Sequence, residues 1–225
     1  MQRFTLQYIR VAGSCGVLTL LLTACVTMEQ EPPPPMPVAV DPAIYAIGGL
    51  LTQTDAVARK SLELQENGFL AVSAEGVSTY QDRQESRWRS ALVGTEIEVF
   101  RIEDNLHIRI PTRAIFHLDG ADIEPSAFSI LETISTVLNE FDRTVVEIAG
   151  HTDGVELPAY NRELSSRRID SIVAFLTARN FDSSRVIEVP AGSTYPVGND
   201  STAAGRELNR RIEITLIPVR GLQPE

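Results

Sequence analysis

Three polar side chains in one short stretch could together bind a small dipolar ligand. The stretch runs from residue 150 to residue 168 and reads GHTDGVELPAYNRELSSRR. Asp153 follows an apolar run that predicts a buried strand, and Asn161 and Arg168 lie in the segment after it. A carboxylate accepts hydrogen bonds from an ammonium group, and a guanidinium binds a carboxylate through two parallel hydrogen bonds. The stretch therefore predicts a site for a molecule with one charge of each sign.

The helical phase of residues 159–179 places two of these polar groups on the apolar side. At about 100° per residue, the large apolar side chains of this segment form one broad arc. Asn161 and Arg168 fall inside the arc, whereas Arg167 falls outside it. A buried charge needs a partner, so Arg168 requires an internal acid or an acid on a ligand. The alternative is an arginine whose stem packs on the core while its charged head reaches water.

Asp153 also has other interpretations. It precedes Gly154, which is typical of a turn residue. His151 and Asp153, with His117, are candidate metal ligands, but their spacing does not match the HExxH motif. A Ser-His-Asp hydrolytic site lacks the nucleophile-elbow motif. The sequence therefore favours binding over catalysis and predicts no metal, no cofactor and no enzymatic activity.

Hydrophobic periodicity predicts the elements that position these residues. Strands that alternate with helices predict an α/β sandwich of the α+β type, with helices packed on a mixed sheet. Helices are expected at residues 54–66, 76–93, 125–140 and 159–179. A hairpin is expected at residues 96–110, and strands are expected at Ile115-Phe116, 144–149, 186–190 and 210–218, with a loop before the last strand.

The first 24 residues have the composition of a signal peptide. Two arginines precede an apolar run, Val11 to Thr23, that is shorter than the roughly 20 residues needed to span a bilayer. The sequence Leu-Thr-Ala-Cys that ends at Cys25 resembles the lipobox of bacterial lipoproteins. This resemblance implies cleavage before Cys25 and acylation of that residue, including palmitate, which gives stable anchoring. Val26 favours the outer membrane, with the body facing the periplasm.

Residues 25–40 are predicted to be a spacer between the anchor and the folded body. The run EPPPPMP at residues 31–37 favours an extended polyproline conformation. Cys15 is lost with the signal segment, so Cys25 has no partner. Neither a disulfide nor a cysteine-based metal site is therefore expected.

The charge balance excludes one class of partner. Without the two arginines of the signal segment, the chain has 18 basic and 30 acidic residues and a formal net charge of −12. Such a chain is not expected to bind nucleic acid or to adhere generally to anionic lipid. Arginines nevertheless cluster in two C-terminal segments, at Arg162, Arg167, Arg168, Arg206, Arg210 and Arg211. This clustering favours recognition of a specific carboxylate.

Residues 113–219 resemble the OmpA-like peptidoglycan-binding domain. The residues that carry the resemblance are Ile115, Phe116, Asp119, Ile123, Pro125, Gly150, His151, Thr152, Asp153, Asn161, Leu164, Ser165, Arg167, Arg168, Gly205, Arg206, Asn209, Arg210, Arg211, Ile212 and Glu213. The resemblance implies a βαβαββ sandwich. It also implies non-covalent binding of peptidoglycan through the meso-diaminopimelate of its stem peptide.

The resemblance further implies a role for each site residue. Arg168 is expected to pair with the ligand carboxylate and Asp153 with the ligand ammonium. The other residues expected to line the pocket are Asp119, Thr152, Asn161, Leu164 and Arg211. His117 stands where many members of the family carry an aspartate, and it could tune the response to pH.

The segment from Tyr80 to Pro111 resembles the region that precedes this domain in YiaD-type lipoproteins. The expected plan is a signal peptide at 1–24, an anchored spacer at 25–40, a helix and hairpin module at 41–110 and the binding domain at 111–220. The predicted function is a non-enzymatic tether between the outer membrane and the cell wall.

Two rival functions remain open at the level of the sequence. The first is a wall-anchored accessory component of an envelope assembly or secretion machine, with a protein partner bound at residues 41–110. Tyr80 and Trp88 motivate it, although a core stripe also explains both residues. The second is a periplasmic hydrolase, which lacks a recognisable catalytic constellation.

Overall fold

The computed structural model describes residues 54–221 with the exception of residue 118, and the side chains of Thr54 and Glu75 are not described. The predicted signal segment, Cys25 and the proline-rich spacer lie outside these residues. The described residues all belong to one compact unit. In the described part of the chain, no helix is both long enough and apolar enough to cross a membrane.

Five helices and five strands make up the described fold. The helices are α1 (Thr54–Glu66), α2 (Val77–Ala91), α3 (Phe128–Glu140), α4 (Pro158–Thr177) and α5 (Ala203–Asn209). The strands are β1 (Glu98–Ile102), β2 (Asn105–Pro111), β3 (Thr144–His151), β4 (Val186–Gly192) and β5 (Arg211–Pro218). The expected helices and the expected hairpin are all found, with shifts of a few residues at their ends.

The strands form one mixed sheet in the order β1-β2-β5-β3-β4. β3 and β4 run parallel, as expected for strands joined through a crossover helix, and the other neighbours are antiparallel. The prediction of helices packed on a mixed sheet is therefore confirmed. Because β2 pairs with β5, the hairpin and the C-terminal strand belong to the same sheet.

The main core lies between one face of this sheet and helices α2, α3 and α4. Ile212, Ile214 and Leu216 of β5 alternate toward the helices, as the twofold repeat of a strand requires. Trp88 of α2 is fully buried in the same core. Its burial supports the interpretation of Trp88 as a core residue and leaves it unavailable to a protein partner. Tyr80 packs edge-on against Phe141.

A smaller cluster holds the N-terminal part of the described chain to the other face of the sheet. Leu64 of α1 packs with Val145, Ile217 and Val219. Val72 then forms an isolated parallel bridge with Arg220, and the Val72 amide donates to the Val219 carbonyl at 2.7 Å. These contacts attach α1 to the last strand of the fold.

Two local expectations were wrong. The segment predicted as a strand at Ile115-Phe116 follows a 3-10 turn at Thr112–Ala114, and Phe116 makes only an isolated bridge with Ile123. The amides of both residues donate to the Thr112 carbonyl, so they are committed to the turn and not to the sheet. The predicted loop before β5 contains α5, whose first turn is capped by Thr202 through the Gly205 amide.

Candidate functional site

Close contact between β3 and α4 positions the site. Gly150 lies at the end of β3, and a Cβ atom there would come within 2.9 Å of the Ser165 carbonyl oxygen. Glycine is therefore required where the strand meets the helix. The Ser165 hydroxyl also accepts from the amide of Gly192, at the end of β4. This packing fixes α4 against the turn that carries Asp153.

The carboxylate of Asp153 is held at the end of β3. One oxygen accepts from an Nη of Arg210 at 2.7 Å, and the other accepts from the Val155 amide at 3.3 Å. The neighbouring Gly154 amide donates to the carboxylate of Asp200 at 3.1 Å. The Asp153 side chain is 15% exposed, so the acid is oriented by the protein and still reaches the surface.

Asn161 holds the backbone of the turn and does not contact the Asp153 carboxylate. The Nδ2 of its side chain donates to the backbone carbonyl oxygens of Asp153 and Glu156, at 3.1 Å and 2.9 Å. Thr152 contributes on the other side, since its amide donates to the Gly192 carbonyl and its hydroxyl donates to the Asp153 carbonyl. Thr152, Asp153 and Asn161 therefore lie together, and the helical phase correctly predicted that Asn161 is buried.

Arg168 is a buried cation on the same helix, with only 2% of the residue exposed. Its Nε donates to the Gly120 carbonyl at 2.8 Å, and its guanidinium carbon lies 5.6 Å from the centre of the Phe116 ring. Burial lowers the pKa of Arg168, and the negative charges of Asp119 and Asp153 oppose this effect. Among the described residues, no carboxylate oxygen lies within 4.0 Å of this guanidinium.

Asp119 and Leu164 complete the group that the structure brings together. Asp119 is exposed, has a left-handed φ of 61° and directly precedes Gly120, the residue whose carbonyl binds Arg168. Leu164 is buried on α4, one turn before Arg168. Asp119 and Asp153 both lie near enough to Arg168 to influence its pKa, so a guanidinium and two carboxylates share one region of the domain.

Arg211 is not brought to this group. Its Nε donates to Glu213 at 2.7 Å, and an Nη donates to the Tyr195 carbonyl at 3.2 Å. Arg211 and Glu213 alternate with Ile212, so they lie on the face of the sheet opposite the main core and α4. Arg211 was expected to line the pocket. The structure pairs it with Glu213 in a buried network, and it lines a cavity together with Arg210.

The adjacent Arg210 contacts Asp153 instead. Arg210 is the C-cap of α5 and lies one residue before β5, so the alternation of the strand does not determine the direction of its side chain. The resemblance to the family indicated Arg211 and not Arg210.

Two buried histidines lie behind the site, on the face of the sheet that carries Arg211. Burial lowers the pKa of His107 to about 4 and that of His151 to about 3, and the positive charge of Arg211 contributes to the second shift. The His107 Nδ1 lies 3.1 Å from the Thr215 hydroxyl. In the described part of the chain, no group of three potential metal ligands occurs.

These histidines predict that the fold loses stability in mild acid. Both are neutral in the folded protein, whereas an unfolded chain takes up their protons near pH 6.5. Stability is therefore complete above pH 6.5 and falls as the pH decreases toward the folded pKa values. We expect a slope on the order of 1 kcal/mol per pH unit for each histidine between pH 6.5 and pH 4.5.

Urea denaturation at several pH values measures this slope. His107→Gln and His151→Gln should each flatten it, and the double variant should flatten it most. A double variant that kept the slope of the parent would contradict the assignment. The window ends at pH 4.5 because carboxylates such as Glu213, whose pKa is lowered, titrate below it.

Similarity to known proteins is concentrated in the region that holds this site. The OmpA family model matches residues 115–210. The probable lipoprotein YiaD of Escherichia coli is 35% identical over 144 residues, which are 64% of this chain and 66% of that protein. The peptidoglycan-binding protein ArfA of Mycobacterium tuberculosis is 32% identical over 101 residues, which are 45% of this chain and 31% of ArfA. The matched regions therefore cover no more than about two thirds of either relative.

A solved structure of a MotB-like protein from Desulfovibrio vulgaris has a similar fold. Its TM-score is 0.58 at 21% identity, and the match covers 66% of this chain and 97% of that one. At this identity the likeness supports the fold alone. It agrees with the mixed sheet and packed helices described above.

Proposed function

The chain carries an OmpA family domain at residues 115–210, and from this premise we propose that it is a non-enzymatic lipoprotein that binds peptidoglycan. The ligand group is diaminopimelate of the stem peptide, which carries a free amino acid centre. Arg168 receives the carboxylate of that centre and Asp153 receives its ammonium. Asp119, Thr152, Asn161 and Leu164 shape the pocket around it.

The observation that carries this proposal is the state of Arg168. A guanidinium that is almost fully buried, with no described carboxylate within 4.0 Å, lacks the ion pair that usually accompanies such burial. A ligand carboxylate would supply it through two parallel hydrogen bonds. The Nε–Gly120 bond orients the guanidinium before the ligand arrives, which reduces the entropic cost of binding.

Arg211 has a supporting role in this proposal. Its buried pairing with Glu213 holds the start of β5, directly after Arg210. We therefore assign contact with the pocket to Arg210 and assign the packing of the sheet behind the pocket to Arg211.

The lipobox at Cys25 places the protein at the outer membrane in this proposal, with its body in the periplasm. The lipid anchor and the wall site would then join the two layers of the envelope. Each contact with a stem peptide is reversible, and the many peptides of the wall retain the protein through multivalency.

Sedimentation with purified sacculi tests the proposal. We expect Asp153→Ala to reduce the retained fraction severely, because the ammonium of the ligand loses its only designated acid. The truncation of one partner in a desolvated charge pair typically costs about 2 kcal/mol or more, which is roughly 30-fold in affinity. Glu163→Ala is the matched control, since Glu163 is an exposed acid on the same helix as Asn161 and Arg168. Equal retention of the two variants would refute the site.

A further inference from the structure

An alternating series of ion pairs leads from Asp153 to the rim of the domain. Asp153 pairs with Arg210 at 2.7 Å, Arg210 pairs with Glu207, Glu207 pairs with Arg113, and Arg113 pairs with Glu96. Side-chain exposure rises from 15% at Asp153 to 53% at Arg113 and is 45% at Glu96, the last member. The inner end of the series is therefore the part that the protein shields best from water.

Arg210 already binds the Asp153 carboxylate, which is the group that the ligand ammonium is expected to bind. One oxygen of Asp153 accepts from Arg210, and the other accepts from the Val155 amide. An incoming ammonium must therefore share the carboxylate with Arg210 or displace it. In either case, the interaction between Asp153 and Arg210 is weakened when a cation binds.

Glu207 gives Arg210 a second partner on the same side. It lies three residues earlier, on α5, and binds the other Nη of Arg210. Arg210 can therefore leave Asp153 without becoming an unpaired cation, a state that would be costly for a side chain only 24% exposed. Arg113 competes for Glu207 from the other side and limits how strongly Glu207 attracts Arg210.

We propose that Arg210 is a built-in competitor for cationic groups at Asp153 and thereby lowers the affinity of the pocket for every ligand that carries an ammonium group. A simple amine gains only the Asp153 contact and must give up the Arg210 pair to obtain it. A ligand that also carries a carboxylate gains the Arg168 contact, which more than offsets this cost. A molecule with both charges is then retained where a simple amine is not, because only the former also contacts Arg168. This inference rests on the proposed function, because it takes diaminopimelate as the ligand.

Calorimetric binding of three probes to the folded protein tests the inference. The probes are meso-diaminopimelate, cadaverine, which carries only the amines, and pimelate, which carries only the carboxylates. In Arg210→Gln we expect meso-diaminopimelate and cadaverine to bind roughly twofold to fivefold more tightly, which is the range of a partly exposed ion pair. The affinity for pimelate should not increase, because pimelate carries no group that requires Asp153.

Glu207→Gln tests the role of the alternative partner. Arg210 then has Asp153 as its only acid among these pairs, so meso-diaminopimelate should bind about twofold to fivefold more weakly. The double variant Arg210→Gln/Glu207→Gln should match Arg210→Gln alone. Arg167→Gln is the control for a lost positive charge, since Arg167 is exposed on α4 and faces away from the core.

Each result separates the inference from the function on which it rests. Tighter binding of the two amine-bearing probes by Arg210→Gln supports the inference. Weaker or unchanged binding of meso-diaminopimelate by Arg210→Gln, with binding by the parent intact, overturns the inference and leaves the proposed function standing. Failure of the parent and of Arg210→Gln to bind meso-diaminopimelate or sacculi overturns both.

Discussion

Replacement of Arg185 by methionine is expected to lower the free energy of unfolding by about 3 to 5 kcal/mol. Only 2% of Arg185 is exposed, and its guanidinium makes four hydrogen bonds. It donates to the carbonyl oxygens of Leu138, Phe141 and Thr144 and to the Thr144 hydroxyl, at 2.7 to 3.0 Å. Two of these carbonyls lie at the C-terminal end of α3, where the helix cannot satisfy its own acceptors.

The expected cost is large because methionine keeps the apolar stem and removes every donor. Each buried acceptor left without a partner costs about 1 to 3 kcal/mol, and only part of this is recovered by relaxation. Burial lowers the pKa of Arg185, and the negative charges of Asp142 and Asp182 oppose this effect. Among the described residues no carboxylate oxygen lies within 4.0 Å of its guanidinium, so neutral acceptors make its close contacts. The guanidinium is thus a structural cross-link between α3, β3 and the start of β4.

Urea denaturation followed by circular dichroism measures this effect. Arg185→Lys should recover only a small part of the loss, because one ammonium group cannot reproduce the flat geometry of three donor nitrogens. Arg87→Met is the control. It removes an exposed ion pair with Glu140 and should cost less than about 1 kcal/mol. A stability change in Arg185→Met as small as that of the control would show that the four hydrogen bonds contribute little.

Arg168→Met is expected to weaken the binding of meso-diaminopimelate by about 100-fold or more. Loss of one partner of a desolvated charge pair costs about 2 to 5 kcal/mol, and 2.7 kcal/mol corresponds to roughly 100-fold. The fold should tolerate the change better than it tolerates Arg185→Met, because Arg168 has one protein hydrogen bond at Gly120 where Arg185 has four.

Calorimetry with the free amino acid and sedimentation with sacculi measure this loss. Arg168→Lys is expected to rescue binding only weakly, since lysine has neither the planar fork nor the Nε that donates to Gly120. Arg167→Met is the matched control, because it removes an exposed arginine from the preceding position of the same helix. Should Arg168→Met and Arg167→Met bind alike, Arg168 would be a core residue without a ligand.

Regular periodicity made much of the fold predictable. The apolar arc of residues 159–179 correctly placed Asn161 and Arg168 inside and Arg167 outside, because a long helix averages over many positions. The hairpin was predictable for a similar reason, since both strands alternate around a short polar turn. A long, repeated apolar pattern therefore predicts which side chains of a helix or a strand are buried.

Features that depend on a few local contacts were harder to predict. Two apolar residues at Ile115 and Phe116 are too few to distinguish a strand from a turn, and hydrogen bonds to the Thr112 carbonyl decided the outcome. The seven residues of α5 have no long apolar stripe, and the cap at Thr202 is a weak signal in a polar loop. Local hydrogen bonds that periodicity does not encode therefore set these elements.

The choice between Arg210 and Arg211 shows a different limit. Arg210 ends the turn after α5 and Arg211 begins β5, so two neighbouring arginines have different ion-pair partners and an error of one position changes the residue that is assigned to the pocket. Arg185 illustrates the same limit over a longer distance. Its four acceptors lie 41 to 47 positions away in the sequence, and no local sequence pattern predicts these contacts.

The attachment of α1 through Leu64 and Val72 has a mechanical consequence. A pulling force that enters at residue 54 meets this attachment before it reaches β1. The small cluster and the single bridge can separate one contact at a time, whereas the strands beyond them are paired along their whole length. Residues 54–76 would then extend by roughly 75 Å at about 3.3 Å per residue. Under tension between the two attachment points of the protein, residues 54–76 would thus detach and extend first. The sheet, and with it the pocket at Asp153 and Arg168, would stay folded.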